Sequence, residues 1–254
     1  GERRAIWLGA MALRHPAWSD IRAVALELGR LTGATLGVLA EGANASGAWL
    51  AGAVPHRDAA GKAAPRVGLD ARAMFEQPRR GYLLFGGLDL AEDLGDESAA
   101  VRARAALATA GQVVAITPFL TEELRSVAKV LLPMGTFAET SGTYVNLEGT
   151  WQSVPGAARP VGEARPGWKI LRVLGNLTGL DGFDYQSTED VINELKAKCG
   201  SADYAEPGSS TRPVELQGST VAVVDVPIYR VDALVRRAPA LQATRAGQQP
   251  ARAL

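Results

Sequence analysis

The run Tyr82-Leu83-Leu84-Phe85, followed later by Val113-Val114-Ala115-Ile116-Thr117, decides the fold of this chain. Both runs are short and apolar at consecutive positions, as in strands that are buried on both faces. Between them, residues 97–110 show an Ala-rich helical pattern with acidic residues at its start, and Gly111 follows its end. A strand, a helix and a strand in this order indicate a parallel βαβ unit.

The same alternation is present upstream. The run Ala5-Ile6-Trp7-Leu8 predicts a strand, and residues 34–39 predict another. The helix between them is expected to begin at Pro16, because the first helical position needs no backbone N–H, and to end at Gly33. The first forty residues therefore predict a second βαβ unit.

Downstream, Thr121 is predicted to cap a short helix, and residues 130–132 are predicted to form a strand that Pro133 stops. Together these elements predict an α/β fold for residues 1–134. We expect a doubly wound, mainly parallel and Rossmann-like sheet of about five strands, flanked by helices.

The composition changes after Pro133. Residues 135–215 are predicted to contain a Gly- and Thr-rich loop with a hairpin at Thr143-Tyr144-Val145, and then two helices opened by Pro166 and Ser187. Residues 216–254 are predicted to hold a last strand at residues 221–226 and a C-terminal tail.

The 254-residue chain carries 27 basic and 27 acidic residues, so its formal net charge is zero. This balance argues against nucleic-acid binding through phosphate neutralisation and against direct membrane contact through a polybasic segment. One cysteine, Cys199, and two histidines, His15 and His56, are too few for an iron–sulfur cluster or the usual zinc sites. We therefore predict neither catalytic residues nor a metal site in this chain.

The first candidate binding loop is Glu41-Gly42-Ala43-Asn44-Ala45-Ser46-Gly47-Ala48, which follows the second predicted strand. Parallel sheets bind ligands at the carboxyl ends of their strands. Gly42 and Gly47 allow a close backbone approach, and Asn44 offers a donor and an acceptor. The loop lacks the lysine of a phosphate-binding loop, and the alternative interpretation is a crossover loop without a ligand.

The second candidate lies in residues 137–152, the most polar part of the chain. Glu139 and Glu148 are candidates for a pair of carboxylates, although their spacing does not define their separation. Gly142 and Asn146 lie between them. The alternative interpretation is a hairpin whose polar side chains bond to their own backbone.

Short motifs occur in a characteristic order along the chain. They are His15-Pro16, Glu41-Gly42-Ala43-Asn44 with Gly47-Ala48, Leu131-Leu132-Pro133, Glu139-Thr140-Ser141-Gly142-Thr143, Asn146-Leu147-Glu148-Gly149, Gln152, the stretch of residues 162–171 and the stretch of residues 231–242. In this order they resemble the molybdopterin oxidoreductase family from about residue 5 to residue 242. Within that family, the chain resembles the C-terminal part of the large peripheral-arm subunit of respiratory complex I, the bacterial NADH-quinone oxidoreductase.

This resemblance implies an electron-transfer subunit whose iron–sulfur clusters lie in an N-terminal part that is missing here. It implies the cluster-bearing domains and other peripheral-arm subunits of complex I as partners, on the cytoplasmic side of the bacterial inner membrane. In molybdo-enzymes of this fold, such loops help to hold the pterin. The implied candidates for a vestigial pocket are Gly42, Asn44, Gly47, Glu139, Gly142, Asn146 and Glu148.

The same resemblance argues against bound molybdopterin, because relatives commonly have arginine where this chain has Thr150. The sequence is therefore compatible with three functions. The favoured one is a structural and assembly module of complex I, without a redox centre or catalysis of its own. The second is an oxidoreductase fragment that still binds a pterin or nucleotide, which requires the Asn44 and Asn146 loops to converge. The third is a free-standing α/β nucleotide-binding protein, which needs a phosphate-cradling loop.

Overall fold

The computed structural model describes residues 2–77, 79–94, 97–200, 224–248 and 252–253. The first strands, β1 (Ala5–Leu8) and β2 (Thr35–Val38), pair in parallel and are joined by α1 (Ala10–Arg14) and α2 (Trp18–Thr32). This arrangement confirms the predicted first βαβ unit. Gly33 ends α2 with a φ of 67°, a left-handed conformation that favours glycine.

The start of α2 differs from the prediction. Pro16 is not its first residue, because the helix begins at Trp18 after Ala17 as N-cap. His15 gives the local reason, since its Nδ1 accepts a hydrogen bond from the Ala17 N–H at 3.0 Å. This contact fixes a turn between α1 and α2, so Pro16 lies in the turn.

A short helix, α3 (Ala45–Leu50), follows β2, and α4 (Ala71–Glu76) precedes a three-stranded parallel sheet. The strands are β3 (Gly81–Phe85), β4 (Gln112–Thr117) and β5 (Val130–Pro133), in that spatial order. They alternate with α5 (Leu90–Asp93), α6 (Glu97–Thr109) and α7 (Glu122–Val127). Thr121 caps α7 as predicted, because its hydroxyl oxygen accepts from the Leu124 N–H at 3.1 Å.

The predicted α/β fold class is confirmed, with five parallel strands and flanking helices in this part of the chain. Among the described residues, the strands form two sheets, of two and three strands, where the sequence predicted one. Between β2 and β3, the described residues form the short helices α3 and α4, a 3-10 helix at Ala59–Gly61 and irregular segments. A parallel connection is usually made by a crossover helix, and no long helix is present here to bring β3 beside the first pair.

The core lies between α6 and β4. The side chains with at most 1% exposure there are Ala100, Ala103, Leu107, Val113, Ala115 and Ile116. The small alanines let α6 approach the sheet closely. Leu84, Leu90 and Leu124 add further buried side chains to this region.

The part after Pro133 also follows the predicted order. Strands β6 (Gly142–Val145) and β7 (Trp151–Val154) form an antiparallel hairpin, followed by α8 (Gly167–Leu177) and α9 (Thr188–Cys199). A capping box between Ser187 and Asp190 opens α9, as the sequence predicted. Cys199 is buried at the end of this helix.

The C-terminal part contains β8 (Val224–Asp225), α10 (Pro239–Gln242) and β9 (Arg252–Ala253), with β8 and β9 antiparallel. Of the last strand predicted at residues 221–226, β8 covers Val224 and Asp225. Residues 221–223 of that prediction lie outside the described residues. The predicted start of this region, residues 216–220, lies outside them too. In the part of the chain that is described, no helix has the length and apolar character needed to cross a membrane.

Candidate functional site

Asn44 connects the two loops that the sequence selected. Its Oδ1 accepts a hydrogen bond from the Val145 N–H at 2.8 Å, and its Nδ2 donates to the Thr143 carbonyl oxygen at 3.4 Å. The side chain therefore pairs with β6 much as a neighbouring strand would, with one donor and one acceptor. The loop after β2 and the hairpin thus converge, and we call Asn44, Gly47, Thr143 and Val145 the Asn44 joint.

Gly47 is buried within this joint, and there is no space there for a side chain. A Cβ atom at Gly47 would lie 2.1 Å from the Oδ1 of Asn44, far inside van der Waals contact. At Gly42, by contrast, an added Cβ would meet nothing within 4 Å. The two candidate glycines therefore differ, since only Gly47 is needed for the amide of Asn44 to reach β6.

Asn146 is used by the tip of the hairpin. Its Oδ1 accepts from the backbone N–H groups of Glu148 at 3.0 Å and of Thr150 at 2.9 Å. Gly149 completes the turn with a φ of 82°. The Glu148 side chain is exposed at this tip. The alternative interpretation of this segment, a hairpin that satisfies its own backbone, agrees with these contacts.

Glu139 has a similar structural role at the other end of β6. Its Oε2 accepts from the Thr136 N–H at 2.7 Å and from the Thr136 hydroxyl at 3.0 Å. These bonds, the backbone one first, lower the pKa of Glu139 from its ordinary value of 4.5. Glu139 precedes β6 and Glu148 follows it, so the whole four-residue strand, roughly 13 Å long, lies between them. The structure does not bring them together as paired carboxylates.

Gly142, the remaining candidate, begins β6 opposite Val154, and an added Cβ there would meet nothing within 4 Å. It thus takes part in the hairpin, and no close approach of another group requires a glycine at this position.

The converging loops enclose a cleft of about 420 Å³. Its lining is mostly apolar and comes from both loops: Val38, Ala40, Ala45, Ser46, Trp49, Leu50, Val145, Asn146, Leu147, Glu148 and Gly149. Of the sequence-selected candidates, only Asn146 and Glu148 line it. Trp49 and Leu147 also line the cleft and were not predicted from the sequence, although the apolar run Ala48-Trp49-Leu50 directly after Gly47 indicates a buried segment there.

The lining of this cleft does not match a phosphate-bearing pterin. Among the described residues that line the cleft, Glu148 is the one with an ionisable side chain. These residues therefore include no lysine, arginine or histidine to bind a phosphate and no cysteine to bind a metal. Elsewhere in the described residues, no group of three or more His, Cys, Asp and Glu side chains is placed to hold a metal ion. The Asn44 amide itself is bonded to β6.

The family model described as "Molybdopterin oxidoreductase" matches residues 2–177, which include both parallel sheets, the Asn44 joint and α8. The chain belongs to the molybdopterin oxidoreductase family.

Similar curated proteins include several oxidoreductases. The assimilatory nitrate reductase catalytic subunit of Bacillus subtilis is 33% identical over 145 residues, covering 56% of this chain and 20% of that protein. The F420-dependent formate dehydrogenase subunit alpha of Methanocaldococcus jannaschii is 39% identical over 79 residues, covering 31% and 12%. The mitochondrial NADH-ubiquinone oxidoreductase 78 kDa subunit of Candida albicans is 38% identical over 86 residues, covering 33% and 12%.

The chain therefore spans between 12% and 20% of the length of these three relatives. Among solved structures, the acetylene hydratase of Pelobacter acetylenicus is similar over 50% of this chain and 18% of that one, with 21% identity and a TM-score of 0.40.

Proposed function

We propose that this chain is part of the large iron–sulfur subunit of a bacterial NADH-quinone oxidoreductase, in which it acts as a structural and assembly module. One observation carries the proposal. The polar side chains that could hold a cofactor, those of Asn44, Glu139 and Asn146, instead bond to the chain's own backbone or to Thr136. A site whose polar groups are used in this way positions its loops and has few groups left for chemistry.

The assignment to complex I is supported by partial similarity to its large subunit in two fungi. Besides the 78 kDa subunit of Candida albicans, that of Neurospora crassa is similar, with 36% identity over 85 residues, 33% of this chain. Electron transfer in the proposed subunit would use iron–sulfur clusters outside this chain, because the single cysteine, Cys199, cannot bind one. The proposed location is the cytoplasmic side of the inner membrane.

Apolar side chains on the outside of the fold are consistent with packing against other parts of such a complex. Trp7 on β1 is 64% exposed, and Leu83 and Phe85 on β3 are 51% and 46% exposed. A parallel strand is normally covered on both faces. Exposed apolar groups on two strands therefore favour an additional covering element, for which the proposed partners are the cluster-bearing domains and other peripheral-arm subunits.

The test uses the intact complex in its host. A complex purified through a tag on this polypeptide should contain the NADH-oxidising subunits and iron. Gly47→Ala, which strains the Asn44 joint, should lower the amount of assembled complex without changing NADH oxidation per iron. Gly42→Ala is the matched control and should change neither quantity, because its Cβ meets nothing within 4 Å. Normal assembly of Gly47→Ala with abolished NADH oxidation would contradict the structural role.

A second candidate function is an oxidoreductase fragment that binds a pterin or nucleotide. The observation in its favour is that the two loops converge around the 420 Å³ cleft, as this function requires. The same purified complex decides between the two functions. Stoichiometric molybdenum or tungsten with a fluorescent pterin, both reduced by Trp49→Ala, would support the second function. A complex that contains iron but neither molybdenum or tungsten nor a pterin would favour the structural and assembly module.

A further inference from the structure

The cleft between the loop after β2 and the hairpin, here called the Asn44 cleft, keeps accessible apolar surface. Trp49 on α3 is 40% exposed and Leu147 at the hairpin tip is 53% exposed, and both line the cleft. Val38, Leu50 and Val145 extend the apolar lining. The volume of 420 Å³ lies within the range of small-molecule sites, roughly 300–1,000 Å³. A ligand can therefore bury an apolar body here.

The Trp49 wall of this cleft is held in place by the protein itself. The Arg57 guanidinium lies over the Trp49 ring, 4.6 Å from its centroid. Gly61 lies so close to the same ring that an added Cβ would overlap it. The Asn44 joint fixes the hairpin relative to this wall. Both walls are thus positioned without a ligand, which lowers the ordering cost of binding.

The carboxylate of Glu148 is the charged group of this lining. The side chain is exposed, so a ligand in the cleft can reach it. Among the described residues, this carboxylate forms neither an ion pair nor a hydrogen bond. An ionised carboxylate only accepts hydrogen bonds, and it binds a charged donor more strongly than a neutral one. The free group of the cleft therefore suits a cation.

The backbone around the hairpin tip offers little to an anion. The N–H groups of Glu148 and Thr150 donate to the Oδ1 of Asn146 at 3.0 and 2.9 Å, and the Gly149 N–H donates to the Asn146 carbonyl oxygen at 3.0 Å. These three donors are already used. The lining thus combines apolar surface and an accessible acceptor with one negative charge.

We propose that the Asn44 cleft binds a small organic ammonium compound with an apolar body. The body contacts Trp49 and Leu147, and the ammonium group donates to the carboxylate of Glu148. Because Arg57 already lies over the Trp49 ring, the cationic group lies beside Glu148 and not over the indole. The proposal is independent of the complex I assignment. It differs from pterin or nucleotide binding in the sign of the ligand's charge.

The test uses the full 254-residue chain near neutral pH, with phenethylammonium as the probe. The NMR signal of the Trp49 indole N–H, assigned with Trp49→Phe, should shift in a saturable way. Phenylacetate has the same ring but a negative charge, and should bind about fivefold more weakly at equal ionic strength. Methylammonium has the charge without the ring and should give no saturable shift.

Two exposed residues allow the charge and the apolar wall to be changed separately. Glu148→Gln removes the charge and should weaken phenethylammonium binding about threefold, the size expected of an exposed ion pair. Glu163→Gln, at an exposed glutamate outside the cleft lining, is its control and should leave binding unchanged. Leu147→Ala should weaken binding about fivefold through lost apolar contact. Leu180→Ala, at a 57% exposed leucine outside the lining, is the control for that change.

The competing occupant is a phosphate-bearing nucleotide, for which adenosine monophosphate is the probe. It should shift the Trp49 signal less than phenethylammonium does at the same concentration. Tighter binding of the nucleotide would overturn the proposal and support the second candidate function. Equal binding of phenylacetate and phenethylammonium, no saturable shift with phenethylammonium, or unchanged binding in both Glu148→Gln and Leu147→Ala would also overturn it.

Discussion

Around Leu107, α6 and β4 bury apolar side chains almost completely, whereas at the Asn44 joint one amide side chain connects two distant loops. The first region contains a continuous cluster of eight buried residues: Leu84, Leu90, Ala103, Leu107, Ala110, Val113, Ala115 and Leu124. At the joint, Val145 is buried, but the connection depends on where two polar atoms of Asn44 lie. Stability in the core thus comes from many non-directional contacts, and at the joint from a few directional ones.

Leu107→Ala should have the largest effect on stability. The side chain is 1% exposed between α6 and β4, so its truncation leaves a cavity and should lower the free energy of unfolding by about 3 kcal/mol. Val101→Ala, on the same helix but 54% exposed, is the control and should change that free energy by less than about 0.5 kcal/mol. Denaturant unfolding measures both variants. Equal losses would show that burial does not distinguish the two faces of α6.

Asn44→Ala should have the next largest effect. It removes the acceptor for the Val145 N–H and the donor to the Thr143 carbonyl, and Val145 is 3% exposed. A buried N–H left without a partner should lower the free energy of unfolding by about 2 kcal/mol. Asn193→Ala, at an exposed position of α9, is the control and should have little effect. A loss as small as the control's would mean that apolar packing alone holds the two loops together.

Gly47→Ala tests the same joint through space filling. Its Cβ would meet the Oδ1 of Asn44, so the amide must move and the free energy of unfolding should fall by about 1.5 kcal/mol. Gly42→Ala should be close to neutral. The double variant Asn44→Ala/Gly47→Ala sharpens the test, because the clash disappears with the amide and the two losses should not add. Additive losses in denaturant unfolding would contradict a direct contact.

The two regions also differ in how far they could be predicted from the sequence. The strands around Val113 and the caps at Thr121 and Ser187 depend on neighbouring residues, so local patterns predict them. The contacts of Asn44 lie 99 and 101 residues away, and no local pattern specifies them. An asparagine in a Gly-rich loop suits a ligand and a distant backbone equally well, because both need one donor and one acceptor.

Two other candidate site residues also bond to the protein itself, because their polar atoms suit a backbone partner as well as a ligand. Glu139 and Asn146 were candidates because their side chains carry hydrogen-bonding atoms. Those atoms do form hydrogen bonds, but their partners are mainly backbone N–H groups of the same segment and not a ligand. The separation of the five strands into two sheets also depends on long-range packing, which the periodicity of the strands does not contain.

Glu139→Ala should give the smallest of these effects, about 1 kcal/mol at neutral pH, because it removes a capping interaction at the start of the hairpin segment. The bonds from Thr136 lower the folded-state pKa of Glu139 from its ordinary value of 4.5. The ionised carboxylate therefore stabilises the fold above that ordinary pKa. This contribution is lost as the pH falls through the lowered folded-state pKa.

The difference in unfolding free energy between the wild type and Glu139→Ala should consequently shrink as the pH falls below about 4.5 and vanish in stronger acid. Glu148→Ala, at an exposed side chain beyond the other end of β6, is the matched control for removing a carboxylate and should leave the free energy of unfolding at neutral pH almost unchanged. Denaturant unfolding across this acidic range measures both. A difference for Glu139→Ala that stays constant down to strong acid would show that packing, and not the charged carboxylate, joins Glu139 to Thr136.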